Sequence, residues 1–181
     1  CHAFGQLGQQ IDAKAHVACA DDGGFDGGRL KRCDLCIGHA CHDVAIGGYN
    51  LGGTVSYSSL LAQQFGRKVG VWTSFGPDFQ YQAHFRENGI SLMVKDSEAT
   101  TVFENIYTDR GRTQYLKTVA NTLGTPDLPR GATEIDVIHF GPIADEIELD
   151  VLAQFPNSLK AASIQGWLRD RQPDGLIIPK S

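Results

Sequence analysis

Twice between residues 54 and 94 the chain repeats one order: apolar residues at helical spacing, a glycine, then a short run rich in β-branched residues. Residues 54–65 carry Val55, Leu60, Leu61 and Phe65 at helical spacing and end before Gly66, which suits a left-handed stop. Residues 68–73 follow as a strand. Asp78 stands in N-cap position for a second helix over 79–88, bearing Phe79, Ala83 and Phe85, which Gly89 closes before the apolar run 90–94. Helix, glycine, strand, repeated, is the rhythm of crossover units, and it restricts the chain to an α/β domain on a parallel sheet. A third unit is expected from the strand 137–140, the turn Gly141-Pro142, a helix over 145–155 and a return over 159–164. Asp145, Glu146 and Glu148 would sit in that helix's first turn, where the dipole favours anions. Upstream, Leu35 and Ile37 predict a buried first strand ending at Gly38.

One region breaks the rhythm. Residues 100–108 and 112–119 are rich in β-branched and aromatic side chains, and Asp109-Arg110-Gly111 joins them as a hairpin. An antiparallel flap is expected there, with 44–51 able to supply further strands. Residues 1–32, with paired glycines and no apolar period, read as an irregular tail. The chain has 181 residues, 41% of them hydrophobic, enough for the core of one domain and too many for disorder along most of its length. The formal net charge of -5 argues against a groove that tracks nucleic-acid phosphates. No run approaches the ~18 apolar residues of a membrane span, and no basic start precedes an apolar block, so neither membrane helix nor secretory signal is expected. The five cysteines all fall within the first 41 residues, unlike a disulfide framework spread through a secreted domain. A reducing, cytoplasmic setting is the expectation. With no Met at position 1 and no helical pattern leading into Ser181, the chain is expected to be cut at both ends.

Several residue groups are candidates for chemistry. Asp43, after Gly38-His39-Ala40-Cys41-His42, falls where open α/β sheets collect ligands; its carboxylate suits two neighbouring hydroxyls of a polyol, or it caps a turn. Gly52-Gly53 ahead of a helix lets backbone approach a ligand closely, or is a plain turn. Neither Gly-x-x-x-x-Gly-Lys-Ser/Thr nor Gly-x-Gly-x-x-Gly occurs. Cys33-x-x-Cys36 with His39, Cys41 and His42 invites zinc, but on a strand Cys33 and Cys36 point to opposite faces, so small buried hydrophobes are the better expectation. Ser56, Ser58 and Ser59 suggest a polar helix face, His84 and His139 core or surface histidines, and Trp72 and Trp167 sheet-packing aromatics. Arg110, Arg112 and Lys117 on the flap either meet anions or are solvated.

The strand leading to Asp43, Gly52-Gly53 with its helix, Gly76-Pro77-Asp78, Asn88-Gly89-Ile90 and the Thr100-Thr101 hairpin closed by Gly111-Arg112 together resemble the N-terminal portion of the ribokinase-like (PfkB) carbohydrate kinases, over about residues 33–170. Gly38-His39-Ala40-Cys41-His42-Asp43 also looks like a run of the inositol-kinase branch. The resemblance implies a Rossmann-like, ribokinase-type α/β core with a small antiparallel β lid, truncated at the C-terminus. It implies transfer of the ATP γ-phosphoryl group, with Mg, to a hydroxyl of a sugar, inositol or nucleoside. Asp43 would hold substrate hydroxyls, Gly52 and Gly53 would contact substrate and act as the lid's hinge, and Phe103 would cover the site. Tyr57 stands where many members carry a sugar-binding Asn. The family's Gly-Ala-Gly-Asp motif, which supplies the general base, does not occur and is expected beyond Ser181. On that basis the 181-residue chain is expected to be inactive by itself, and a homodimer through the lid is a further expectation. The alternative is a non-catalytic sugar-binding α/β module.

Overall fold

Apolar residues on both sides of a short run demand burial on both faces, and β1 (Cys33–Ile37) obtains it at the centre of a parallel sheet. The computed structural model describes residues 33–132 and 135–180; the tail expected over 1–32 lies outside the described residues. After β1 come β2 (Cys41–Ala45), β3 (Gly48–Gly52), α1 (Thr54–Gln64), β4 (Lys68–Phe75), α2 (Gln82–Glu87) and β5 (Ser91–Asp96). There follow β6 (Val102–Thr108), β7 (Gly111–Thr118), β8 (Val137–Phe140), β9 (Leu159–Ala162), β10 (Arg169–Arg171) and β11 (Ile177–Pro179). The core sheet has the order β5-β4-β1-β8-β9, all parallel, as the helix-glycine-strand rhythm requires.

Each face of this sheet has its own core. Leu35, Ile37, Trp72, Met93, Ile138 and Phe140 lie on one side, under Leu123, Ile147, Val151 and Phe155. Cys36, Val69 and Val71 lie on the other with Val55 of α1 and Phe85 of α2. Each large buried apolar side chain contributes roughly 1.5–3 kcal/mol. Cys33 belongs to the first face and Cys36 to the second, which separates them as the strand alternation predicts. The serines of α1 depart from expectation: Ser56 and Ser59 are fully buried against the sheet, not on a polar outer face. Their hydroxyls donate to carbonyls one turn back, Gly52 O at 2.7 Å and Ser56 O at 3.2 Å, which satisfies them without water.

Two expected helices are shorter than their patterns suggest. Asp78 caps no helix; its Oδ1 accepts from the amide (3.0 Å) and hydroxyl (2.8 Å) of Thr100, and α2 begins only at Gln82. Phe79 instead stacks on Phe75 and His42, with ring centroids 4.3 and 5.3 Å away. Over 145–155 only a 3₁₀ helix forms, Leu149–Gln154. Asp145 takes a positive φ of 60°, and Glu146, 1% exposed, turns inward. Its carboxylate accepts from the amides of His39 (2.9 Å), Ile143 (2.9 Å) and Ala144 (2.7 Å), so these side-chain bonds displace the helical ones.

The second sheet has the order β3-β2-β6-β7. Its two hairpins are antiparallel, as expected of the lid, and a short parallel pairing of β2 with β6 joins them. Asp109-Arg110 forms the two-residue connection, with Gly111 at φ 118°. β10 and β11 form a hairpin that the sequence patterns did not signal; it leans on β7 through a Leu116 N–H bond to Gly175 O of 2.8 Å. No helix among the described residues is long and apolar enough to cross a membrane.

The chain passes from core to lid beside His39, which is fully buried. Asn121 O can only accept, so His39 Nε2 carries the proton (3.0 Å), and Nδ1 accepts from Thr101 Oγ1 at 2.8 Å. His42 is also buried, with Nε2 accepting from the Gln80 amide at 3.3 Å.

Two predictions follow from these buried groups. Burial holds His39, His42 and His139 below the usual imidazole value, partly opposed at His39 by Glu146 and at His42 by Asp78. As pH falls through about 6.5, the unfolded chain takes up protons that these folded histidines refuse. Stability is then lost at up to about 1.4 kcal/mol per pH unit for each histidine kept neutral. Urea midpoints at pH 7.5 and 5.5 measure this, and equal values would contradict it. Glu146→Gln should lower unfolding free energy by about 2–3 kcal/mol, because charge-assisted bonds to buried amides are lost; chemical denaturation at pH 7.5 reads the change.

Candidate active site: a polar cleft under the lid

Strand alternation builds the first wall. Cys41 and Asp43 of β2, Phe103, Asn105 and Tyr107 of β6, and Arg112 and Gln114 of β7 stand at period-two positions and line one cleft. The register sets Asp43 beside Phe103, Asn105 opposite Gln114 and Tyr107 opposite Arg112. The facing wall is the start of α1, with Gly53, Thr54 and Tyr57, together with Ile143, Gln165 and Arg169. The cleft measures about 250 Å³. That is slightly below the roughly 300 Å³ where pockets for drug-sized ligands begin, a size for one small polar molecule.

Asp43 does not lie at the end of the first core strand. β1 stops at Ile37, Gly38 turns the chain at φ 147°, and Asp43 sits inside the lid strand β2. Its Oδ1 accepts from Asn105 Nδ2 at 3.3 Å, and Asn105 Oδ1 accepts from Gln114 Nε2 at 2.8 Å, a relay across three strands. Burial pushes the Asp43 carboxyl above its usual value, against the Asn105 bond and the Arg112 charge. Gly52 stands directly behind it: an added Cβ would come within 2.5 Å of Asp43 Oδ2 and 2.8 Å of Cys41 Sγ. Gly53 takes φ 95° at the N-cap of α1, where a Cβ would collide with His39 O. Tyr57 is 63% exposed and its hydroxyl donates to Leu51 O at 3.0 Å; burial, then Asp43 and Cys41, hold the phenol above its usual value.

The core-side wall has a relay of its own. Gln165 Nε2 donates to Thr54 Oγ1 at 2.8 Å and Arg169 Nη2 to Gln165 Oε1 at 3.0 Å. Arg169 Nη1 also donates to Ile143 O at 3.3 Å.

Of the residues singled out in the sequence, Asp43, Gly53, Tyr57 and Phe103 come together around the cleft, and Gly52 braces Asp43 from behind. Arg112 joins them, while Arg110 and Lys117 do not line it. His139 shares a 3.0 Å bond with Ser163 Oγ away from the cleft, and His84 lies outside it on α2. Asn105, Gln114, Gln165 and Arg169 were missed. Counting by two from Phe103 would have found Asn105; no local signal marks Gln165 or Arg169. Among the described residues, no group of three or more His, Cys, Asp or Glu side chains is arranged to hold a metal ion.

No family model and no curated protein matches the sequence. Solved structures do. A pyrophosphate-dependent kinase in the ribokinase family, in a sulfate complex, superposes with a TM-score of 0.68 at 23% identity, covering 81% of this chain and 55% of that chain. Such a kinase complexed with a pyrophosphate analog and myo-inositol gives 0.68 at 24% identity, covering 81% and 54%. Ribokinase from Giardia lamblia gives 0.53 at 20% identity, covering 68% and 48%. The chain thus spans about half the length of these structures. Its parallel core sheet and mixed β lid are those of the ribokinase-like fold.

Proposed function

We propose that this chain is the substrate-binding and lid portion of an ATP-dependent carbohydrate or polyol kinase, one that phosphorylates a hydroxyl of a sugar, inositol or nucleoside. The observation that carries this is the Asp43–Asn105–Gln114 relay facing a small cleft between lid and α1. Asp43 offers a charged acceptor to paired hydroxyls, the amides offer both donors and acceptors, and Phe103 offers an apolar face to ring carbons. The ribokinase-like fold supports the assignment, since the myo-inositol-bound structure shares it. Outward lid residues Ile46 and Ile106 are exposed, which supports pairing of two lids in a homodimer.

The phosphoryl donor is a different matter. The cleft offers a magnesium ion one carboxylate, Asp43, and no glycine-rich cradle stands in the sequence for a triphosphate. The described residues therefore do not fit ATP and Mg by themselves, and no step of transfer is drawn through them. None of the 181 residues forms a Gly-Ala-Gly-Asp run, so no general base is assigned to this chain. Binding without transfer is the expected behaviour of these 181 residues.

Titration calorimetry of the 181-residue chain with myo-inositol and with D-ribose tests the proposal. Asp43→Ala should weaken binding of the preferred polyol about 10- to 100-fold, the worth of one or two charge-assisted bonds. Unchanged affinity, or no binding of either polyol by the unmutated chain, would count against it. Phosphorylated polyol formed by the chain alone, with ATP-Mg or pyrophosphate, would overturn binding without transfer. Gly52→Ala should cost a similar factor, because its methyl displaces the Asp43 carboxylate, and the unfolding midpoint should fall as well, since the methyl also crowds the buried Cys41 sulfur.

A further inference from the structure

The chain carries a net charge of -5, yet its cleft holds two cations, Arg112 and Arg169, against the single carboxylate of Asp43. Four basic side chains elsewhere pair with acids: Arg67 with Asp34, Lys95 with Asp127, Lys117 with Glu104 and Lys180 with Asp145. The cleft arginines form no salt bridge with a described residue, although the Arg112 charge acts on Asp43 and that of Glu146 on Arg169. The Arg112 guanidinium makes no hydrogen bond with a described residue, and Arg169 spends its guanidinium on two neutral oxygens, Ile143 O and Gln165 Oε1. They come from opposite walls, β7 of the lid and the start of β10. Burial, and then the charge of Arg112, lowers Arg169, with Glu146 opposing. Both also line an adjoining space of about 560 Å³ whose remaining walls include Leu168, Leu176, Ile177 and Pro179.

Two like charges facing one cleft repel, and a guanidinium without a bidentate partner has unused fork geometry suited to phosphate oxygens. Asp43 repels such an anion. A ligand that satisfies both sets of groups presents hydroxyls towards Asp43 and its negative group towards the arginines.

Resting on the kinase-type reading above, we propose that the acceptor is an anionic polyol, a sugar or inositol already bearing one phosphate monoester, held by Arg112 and Arg169 with its free hydroxyls on Asp43. The reaction that supplies such a substrate is a prior phosphorylation of the same polyol class.

The test is titration calorimetry of the 181-residue chain with matched pairs: myo-inositol against myo-inositol 1-phosphate, and D-ribose against D-ribose 5-phosphate. D-glucuronate, inorganic phosphate and pyrophosphate are separate arms. The phosphorylated member of at least one pair should bind tenfold or more tighter than its neutral parent. Arg112→Gln and Arg169→Gln should each bring that preference towards one, and rising salt should erode it. Equal or weaker binding of both phosphorylated members, with neutral polyol still bound, overturns the anionic acceptor and leaves the polyol site standing. Phosphate or pyrophosphate binding as tightly as the polyol phosphate overturns it in favour of a donor site. Tighter binding of glucuronate overturns the phosphate assignment in favour of a carboxylate. No binding by any polyol, neutral or phosphorylated, overturns this proposal together with the function on which it rests.

Discussion

A buried carboxylate governs how the lid meets the core. Where β1 ends, the chain must leave a sheet that is closed on both sides, and the amides of the crossing would be left without partners. Glu146 supplies them: one carboxylate gathers the His39, Ile143 and Ala144 amides, tying the exit from β1 to the segment after β8. At the same place Gly38 packs so closely on Gly141 that a Cβ would lie 2.6 Å from its carbonyl oxygen. His39 then binds Thr101 and Asn121, which belong to the chain's later passages into and out of the lid. Side chains rather than a continuous sheet therefore set the position of the lid over the core.

The cleft follows from that placement. Because the lid strands alternate, every second residue of β6 and β7 faces the start of α1, and polar residues there meet one another across strands. Asp43 gains a defined orientation from Asn105, and Asn105 from Gln114, so a carboxylate partly withdrawn from water remains available as an acceptor. Thr54, Gln165 and Arg169 perform the same service on the core side. The two relays are held by separate elements, and a ligand between them would be gripped from lid and core together.

Much of this was legible from local pattern. Gly66 and Gly89 end α1 and α2 with φ values of 74° and 68°, and Asp109-Arg110-Gly111 turns the lid hairpin. Such signals work because they depend on backbone sterics within a few residues. The pattern misled where a distant group offered a better hydrogen bond. Thr100 takes Asp78 from the helix it would have capped, and the His39 amide helps to draw Glu146 away from a helical first turn. Ser56 and Ser59 misled for a related reason, since a small hydroxyl that bonds back to its own helix can be buried as readily as an apolar group.

By itself the sequence determined the alternation of helix and strand from α1 to β5, the parallel core and the position of the lid hairpin, because periodicity and glycine placement are local properties. It also marked Asp43, Gly53, Tyr57 and Phe103. Only the tertiary structure decided that Arg112 and Arg169 share a cleft with Asp43, although 69 and 126 positions separate them from it in the chain. It likewise decided that Asn105 orients Asp43 and that β10 and β11 lean on β7. These are contacts between residues remote in sequence. They arise from how the lid sits on the core, and no window of neighbouring residues contains that information.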